Sequence, residues 1–441
     1  MLIGVGLFML AVSLHVILFV CLCWVACHLG WLGCTFHDIR QFMSRGVSDA
    51  LPAIYIFLLI GMVIASFMLS GTIAVLISWG LDWLSPGTFL VSAFLATSLM
   101  SVATGTSWGT VGTLGVVMMG IGASLEVPLP VVAGAVISGA TFGDKLSPVS
   151  DTTNLAAMSA GTDLYTHIGG MLYTTVPTFV IVLLIFAGLD ASHAGHWDPT
   201  NADRVQAALS GQFELNLLVG LGPILTMLVL ALRRYPAEVA MTGSIAVAAV
   251  IACMVQDRTV VEVLNALWQN EPVATGEPEL DSLLGRGGMF SMAWTLLLAL
   301  LALALGGLLH GGGVLKALLE GLISRIRRRT TLIAATIGSS VLGNLGLGEA
   351  YVSIILNCQL FRPAFARQRL HPALLSRSVE EGATLTTGLI PWTTAGAFYA
   401  VTLGVATLDY APFAFLNYLN GLVAIAMAAL GVGLLGRRPT D

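Results

Sequence analysis

Apolar runs close to the length of a membrane span recur along the whole chain, with only short polar interruptions between them. Residues 176–189 (VPTFVIVLLIFAGL) and 421–436 (GLVAIAMAALGVGLLG) carry no ionisable side chain at all. About 20 apolar residues are needed to carry a helix across the hydrocarbon core, so the pattern predicts about 10–12 transmembrane helices. A membrane β-barrel would alternate apolar and polar residues in segments of about ten, and these runs do not alternate. The prediction is an all-α polytopic membrane protein.

Four polar interruptions stand out, and they fall into two pairs. The first pair is SLMSVATGTSWGTVGTLGVV (98–117) and SSVLGNLGLGEAYVSIIL (339–356), rich in small residues; each reads as the centre of a re-entrant hairpin, over 88–124 and 331–361. The second pair is FGDKLSPVSDTTNLA (142–156) and VEEGATLTTGLIPWTTAGA (379–397), each with carboxylates, hydroxyls and a proline that removes a backbone donor. These read as helices that unwind part-way, over 142–156 and 379–399.

Basic residues mark cytoplasmic loops. They cluster at Arg40 and Arg45, Arg233 and Arg234, Arg325 to Arg329, Arg362 to Arg369, and Arg437 and Arg438, whereas the loops holding Asp82 and Glu126 have none. The first hairpin therefore has external flanks and the second has cytoplasmic ones. Hairpin followed by broken helix, twice and with inverted flanks, is the trace of inverted-topology repeats. The expected division is 1–190 for the first repeat, 191–290 for connecting helices and an acidic loop with Glu271, Glu277, Glu279 and Asp281, and 291–441 for the second repeat. That loop, over 256–288, is expected to be external and mobile.

Composition strengthens the membrane reading. Of the residues, 56% are hydrophobic and 10% charged, the mean hydropathy is +0.89, and soluble domains carry about 25% charged residues. The first residues show no basic region and no small-residue cleavage site, so they do not read as a removed signal peptide. The six cysteines include no C-x-x-C pair and read as small buried hydrophobes. No HExxH or comparable spacing joins the eight histidines, and His15 reads as a packed residue donating to a carbonyl. Neither a cofactor nor a nucleic-acid partner is expected.

Ionisable groups at membrane depth cost about 2.5–3.5 kcal/mol each on insertion scales and concentrate where ions or protons pass. Asp144, Lys145 and Asp151 lie within eight residues of one another, followed by Thr152, Thr153 and Asn154. With Ser147 and Ser150 they offer hard oxygen ligands at a broken helix, the chemistry that Na⁺ takes, and the tentative ion site is Asp151, Thr152 and Asn154. Lys145 is one of two lysines in the chain and could neutralise Asp144. The second broken helix supplies Glu380, Glu381, Thr384, Thr386, Thr387, Thr393 and Thr394. There Glu381 is the preferred proton-coupling carboxylate, because Glu380 can pair with Arg377. The hairpins add Thr104, Thr106, Ser107, Asn344 and Glu349; small residues also allow close helix packing, but packing needs no carboxylate.

The elements GTSWGT, GDKLSPVSDTTNLA, GEAYVSIIL and EEGATLTTGLIPWTTAGAFYAVTLGV together resemble the NhaC family of Na⁺/H⁺ antiporters, within the ion transporter superfamily. The resemblance implies a multi-pass Na⁺/H⁺ exchanger of the bacterial cytoplasmic membrane, with inverted repeats and alternating access, and carriers of this class often form homodimers. The same family includes members resembling malate/lactate exchangers, so coupled exchange of a small organic anion or an amino acid is the alternative. The chain departs from the family pattern in two places: Glu380-Glu381 stands for Glu-Asp, and Pro391-Trp392-Thr393 stands for Pro-Trp-Asn.

Two other classes are disfavoured. Residues 105–109 fit G-x-S-x-G, but that motif needs a strand-to-helix elbow. An aspartyl G-x-G-D is broken by Thr141 before Gly143-Asp144. A channel would have no need of titratable carboxylates in both halves.

Overall fold

The computed structural model describes residues 12–48, 51–193, 199–271, 281, 284–323 and 326–435. Arg325, Glu277, Glu279, Arg437 and Arg438 lie outside the described residues. Helices α1 (Leu14–Trp31), α2 (Phe36–Ser48), α3 (Leu51–Leu69) and α4 (Thr72–Trp83) precede a hairpin made of α5 (Phe89–Thr104), α6 (Ser107–Thr110), a π-helical turn at Val111–Gly115, and α7 (Val116–Ser124). A broken helix follows, α8 (Leu129–Leu146) and α9 (Asp151–Ala160), and then the long α10 (Leu164–His193).

Helices α11 (Pro199–Gln212), α12 (Leu217–Gly220), α13 (Gly222–Leu232), α14 (Ala237–Met254) and α15 (Val260–Trp268) connect the halves. The later half has α16 (Ala293–Gly311), α17 (Val314–Ile323), a hairpin of α18 (Arg329–Leu347) and α19 (Ala350–Arg367), a broken helix of α20 (Pro372–Thr387) and α21 (Thr394–Leu403), and finally α22 (Thr407–Tyr410) and α23 (Phe415–Ala429). No strand occurs among the described residues.

Five of the described helices are long and apolar enough to cross a membrane, or seven if two bent pairs are counted as single spans. Length alone undercounts here, because the hairpin and broken-helix segments divide their apolar sequence between short pieces such as Phe89–Thr104 and Thr394–Leu403. In lipid such interruptions survive only where protein or a lined cavity covers the freed backbone groups.

The local chemistry of the two halves is the same. Helix α5 ends on Gly105 at φ 71° and α18 on Gly348 at φ 71°, both left-handed, a conformation that glycine adopts without Cβ strain. Each glycine is followed by an extended N-cap residue, Thr106 or Glu349, whose side chain accepts from the next helix. Each broken helix resumes from a hydroxyl N-cap, Ser150 accepting from the Thr153 amide and Thr393 from the Gly396 amide. Each resumed piece is 10 residues long and ends on a left-handed glycine, Gly161 or Gly404.

Packing follows from small residues. A methyl at Gly139 or Gly143 of α8 would collide with Phe94, Ser98 or Ser101 of α5, and one at Gly382 of α20 would collide with Ile337 of α18. Both halves thus seat the first arm of the broken helix directly on the hairpin. The resumed pieces cross over: Ala156 and Ala160 of α9 are buried in a core with Ile354 and Phe361 of α19, while Phe398 of α21 stacks on Trp108 of the first hairpin with centroids 5.2 Å apart.

The expected loop over 256–288 is partly helical. Thr259 and Glu262 form a capping box that starts α15, and the Thr259 hydrogen bonds hold the Glu262 carboxyl below its ordinary range. The end of the segment is anchored, with the Gly288 amide donating to Gly61 O at 2.6 Å. His15 Nε2 lies 3.0 Å from a carbonyl, that of Trp294 in the second half of the chain.

Candidate ion and proton sites

At the first helix break the chain turns through Ser147 to Ser150, and side chains replace the lost helical hydrogen bonds. The Thr153 hydroxyl reaches the free carbonyls of Asp144 and Lys145 at 3.2 and 3.1 Å. The Asn154 amide donates to Pro148 O at 3.0 Å and Ser150 O at 2.7 Å, and Ser147 donates to Val102 O of the hairpin at 2.8 Å. These three hold the break open and press it on the hairpin tip.

Asp144 sits inside this frame, 9% exposed. Its Oδ2 accepts from the Ser107 hydroxyl of the hairpin and its Oδ1 from the Ser150 hydroxyl of the break, both at 2.6 Å. Thr152 Oγ1 lies 3.1 Å from Ser150 Oγ, and the buried Tyr399 of the second half interacts with Ser107. One carboxylate and three hydroxyls from three elements therefore converge, a hard-oxygen set suited to Na⁺. Thr104 and Thr106 serve the backbone instead: Thr104 donates to Met100 O at 2.9 Å, and Thr106 accepts the Gly109 amide at 3.3 Å.

Asp151 is exposed at the first position of α9. Of the three residues expected to hold an ion, Thr152 joins the Asp144 group, Asn154 is committed to carbonyls, and Asp151 makes no side-chain hydrogen bond to either.

At the second break the chemistry is the same but the partners change places. Here the carboxylate is on the hairpin: Glu349, buried, accepts from the Thr394 hydroxyl at 2.5 Å through Oε2 and from the Tyr351 amide at 3.4 Å through Oε1. Thr394 N donates to Gly348 O at 3.0 Å, and the Trp392 indole to Leu345 O at 2.9 Å. Asn344 donates to Ala383 O at 2.7 Å and to Thr386 at 3.1 Å, and Thr393 donates to Thr387 O at 2.5 Å. Asn344 Oδ1, Thr384 Oγ1 and Thr387 Oγ1 are buried without a hydrogen-bond partner among the described residues, a cost of about 1–3 kcal/mol for each that an ion or water would relieve.

Glu380 and Glu381 lie elsewhere, in a third cluster between α8, α10 and α20. Glu381 takes Arg377 at 3.7 Å and the Thr174 hydroxyl at 2.6 Å, while Glu380 Oε2 faces His167 Nε2 at 3.4 Å. The expected Arg377–Glu380 pair is thus an Arg377–Glu381 pair, while Glu380, three residues on and equally within helical reach, faces His167 instead. Arg377 also donates to Gly170 O and Gly433 O at 3.2 and 2.8 Å. Lys145 is fully buried; the charges acting on it are Glu381, Glu380 and Arg377, and its Nζ has no hydrogen-bond partner among the described residues. Its Nζ makes no hydrogen bond to the neighbouring Asp144 carboxylate.

His167, Thr174 and Tyr399 were not singled out from the sequence. His167 meets Ser376 across 209 residues and Thr174 meets Glu381 across 207, and no local spacing carries such a contact.

Paired hairpins and broken helices meeting at buried carboxylates define a secondary transporter of the membrane. The sequence profile of the Na⁺/H⁺ antiporter family matches residues 3–152 and 139–432, and the chain belongs to that family. It is 40% identical over 433 residues to the Na⁺/H⁺ antiporter NhaC of Alkalihalophilus pseudofirmus, covering 97% of this chain and 93% of that protein. It is 34% identical over 400 residues to the malate-2H⁺/Na⁺-lactate antiporter of Bacillus subtilis, covering 90% and 84%. It is 33% identical over 422 residues to the arginine/ornithine antiporter ArcD of Halobacterium salinarum, covering 95% and 86%.

Proposed function

We infer that this protein exchanges Na⁺ for H⁺ across a bacterial cytoplasmic membrane, with Asp144 as the carboxylate for which the two ions compete. The observation that carries the reading is the Asp144 carboxylate, buried where hairpin and helix break meet and held by two serine hydroxyls at 2.6 Å. Ser107, Ser150 and Thr152 complete the oxygen set around Na⁺. When a proton replaces the ion, the neutral carboxyl keeps both serines as neighbours.

Glu349 with Thr394 is the corresponding group of the second half. The matching caps of the two halves support an inverted repeat, and alternating access then moves the hairpin and break pairs as units. The organic-anion alternative needs a cation free to meet a carboxylate at the site. Arg377, the arginine nearest to it in the sequence, is held by Glu381 and two carbonyls, so the cation left for such an anion is Lys145, whose Nζ has no hydrogen-bond partner among the described residues.

The test is transport in proteoliposomes under an imposed pH gradient, followed with a pH-sensitive dye on adding Na⁺, Li⁺, K⁺, malate or arginine. Na⁺ alone dissipates the gradient with the wild-type protein and not with Asp144→Asn. A response to malate or arginine with none to Na⁺ overturns the reading.

A further inference from the structure

We propose that His167 and Glu380 form a proton-binding site of their own, separate from the Asp144 carboxylate and electrostatically linked to it. The proposal rests on the exchange reading above for its role in transport, but its protonation can be measured without Na⁺.

His167 is fully buried on α10. Its Nε2 faces Glu380 Oε2 at 3.4 Å, and its Nδ1 lies 2.7 Å from Ser376 Oγ. The Ser376 hydroxyl has a second acceptor in reach, Ala373 O at 3.1 Å. That choice lets the ring exist in two charge states with its Ser376 hydrogen bond kept. In the neutral state Ser376 donates to Nδ1, and Nε2–H points to Glu380. In the charged state a proton enters on Nδ1, Ser376 turns its own hydrogen to Ala373 O and accepts from Nδ1–H, and Nε2–H still points to Glu380. A hydroxyl that can reverse its direction is what a buried imidazole needs to bind and release a proton at Nδ1 without losing the partner of that atom.

The surrounding charges set the electrical consequence. On α20 the ring meets Glu380, with Arg377 and Glu381 in the same cluster; on α8 stand Lys145 and Asp144; on α19 Cys358 is within electrostatic range of Glu380 and of Arg362. Lys145 and Arg377 balance Glu380 and Glu381, so a proton on His167 leaves this cluster with one net positive charge. Asp144 is within electrostatic range of Glu380, and Na⁺ bound at Asp144 would add a further positive charge beside the same group. Na⁺ and the His167 proton then oppose each other, and by linkage each weakens the other equally.

The experiment is infrared titration of full-length protein with ¹⁵N-labelled histidine rings, in detergent, with and without saturating Na⁺. A ring band that is missing from His167→Gln converts from neutral to imidazolium on acidification, and Na⁺ moves its midpoint to lower pH by about half a unit or more, one unit being about 1.4 kcal/mol. Ser376→Ala also lowers the midpoint, because the imidazolium loses the stronger, charge-assisted bond. If His167→Gln fails to fold, Glu380→Gln identifies the band by displacing it. A His167 band that holds one charge state throughout, or a midpoint that ignores Na⁺, overturns the proposal. Calorimetry of Na⁺ binding to the same sample separates the two readings: absent heat removes the sodium site, while the Na⁺-free titration still decides the proton site.

Discussion

Gly105 and Gly348 stand at matching points of the two halves with the same φ of 71°, and the residues after them, Thr106 and Glu349, have φ of −144° and −146°. One turn geometry is thus built twice from unrelated side chains. At Gly105 a methyl would meet the Val149 backbone at 3.0 Å, so the hairpin tip and the helix break leave no room for a larger residue. Gly105→Ala is expected to lower stability by about 1–2 kcal/mol from the left-handed backbone alone, with transport lost beyond that as the tip lifts from the break. Thermal unfolding in detergent and proteoliposome flux, measured on one preparation, check both effects.

Removing the Asp144 charge should act on the ion and spare the fold. An amide can still accept from Ser107 or Ser150, whereas hydrogen bonds and contacts to a charged group are worth about 1.5–3 kcal/mol. Asp144→Asn should therefore weaken Na⁺ binding by about tenfold to a hundredfold. The exposed Asp151, changed to Asn, should alter it by less than about threefold, since partly solvated charges contribute about 0–1 kcal/mol. Equal losses in the two variants would move the site to Asp151.

Acid should oppose Na⁺ in a defined way. The ligand carboxylate has to lose its proton before it holds a cation, so apparent Na⁺ affinity falls as the pH is lowered, by about tenfold per unit wherever one proton competes with one ion. Transport rates over a matrix of Na⁺ concentration and pH give the slope. An affinity that does not change with pH would exclude a shared carboxylate.

The Arg377–Glu381 pair is fully buried, and its two partners should not be removable one at a time. Arg377→Met is expected to cost about 3–5 kcal/mol by leaving a carboxylate uncompensated, whereas Arg377→Met with Glu381→Met together should cost less. Denaturation of the two variants in detergent checks the order.

Glu349 and Thr394 should be coupled. The 2.5 Å bond predicts that Glu349→Gln and Thr394→Ala together cost less than the sum of the separate losses in Na⁺ affinity, with an interaction energy of about 0.5–3 kcal/mol.

Much of the fold was legible because membrane proteins write it in unusual places. Prolines and hydroxyls inside apolar sequence mark the stretches where α8 gives way to α9 and α20 to α21, and runs of small residues mark the turns at Gly105 and Gly348. The capping box at Thr259 and Glu262 was equally readable, but the acidic composition of 256–288 hid it. Which carboxylate is buried was not readable. Asp144 and Asp151 have similar sequence surroundings, and the choice between them is made by Ser107, brought in from 37 residues away. His167 had no signal at all, since one histidine near the start of an apolar helix looks the same whether it faces lipid or Glu380.

The two resumed helices, Asp151–Ala160 and Thr394–Leu403, each have 10 residues. At 1.5 Å per residue each is about 15 Å long, half of a hydrocarbon core about 30 Å thick. Set along the membrane normal, pieces of that length would place both breaks near mid-depth, where an ion arriving from either face would have crossed about half of the membrane voltage. Half of the potential is worth about 1.2 kcal/mol per 100 mV for a single charge, so in that setting the voltage would act on ion entry from both faces alike and no single step would carry the whole electrical work.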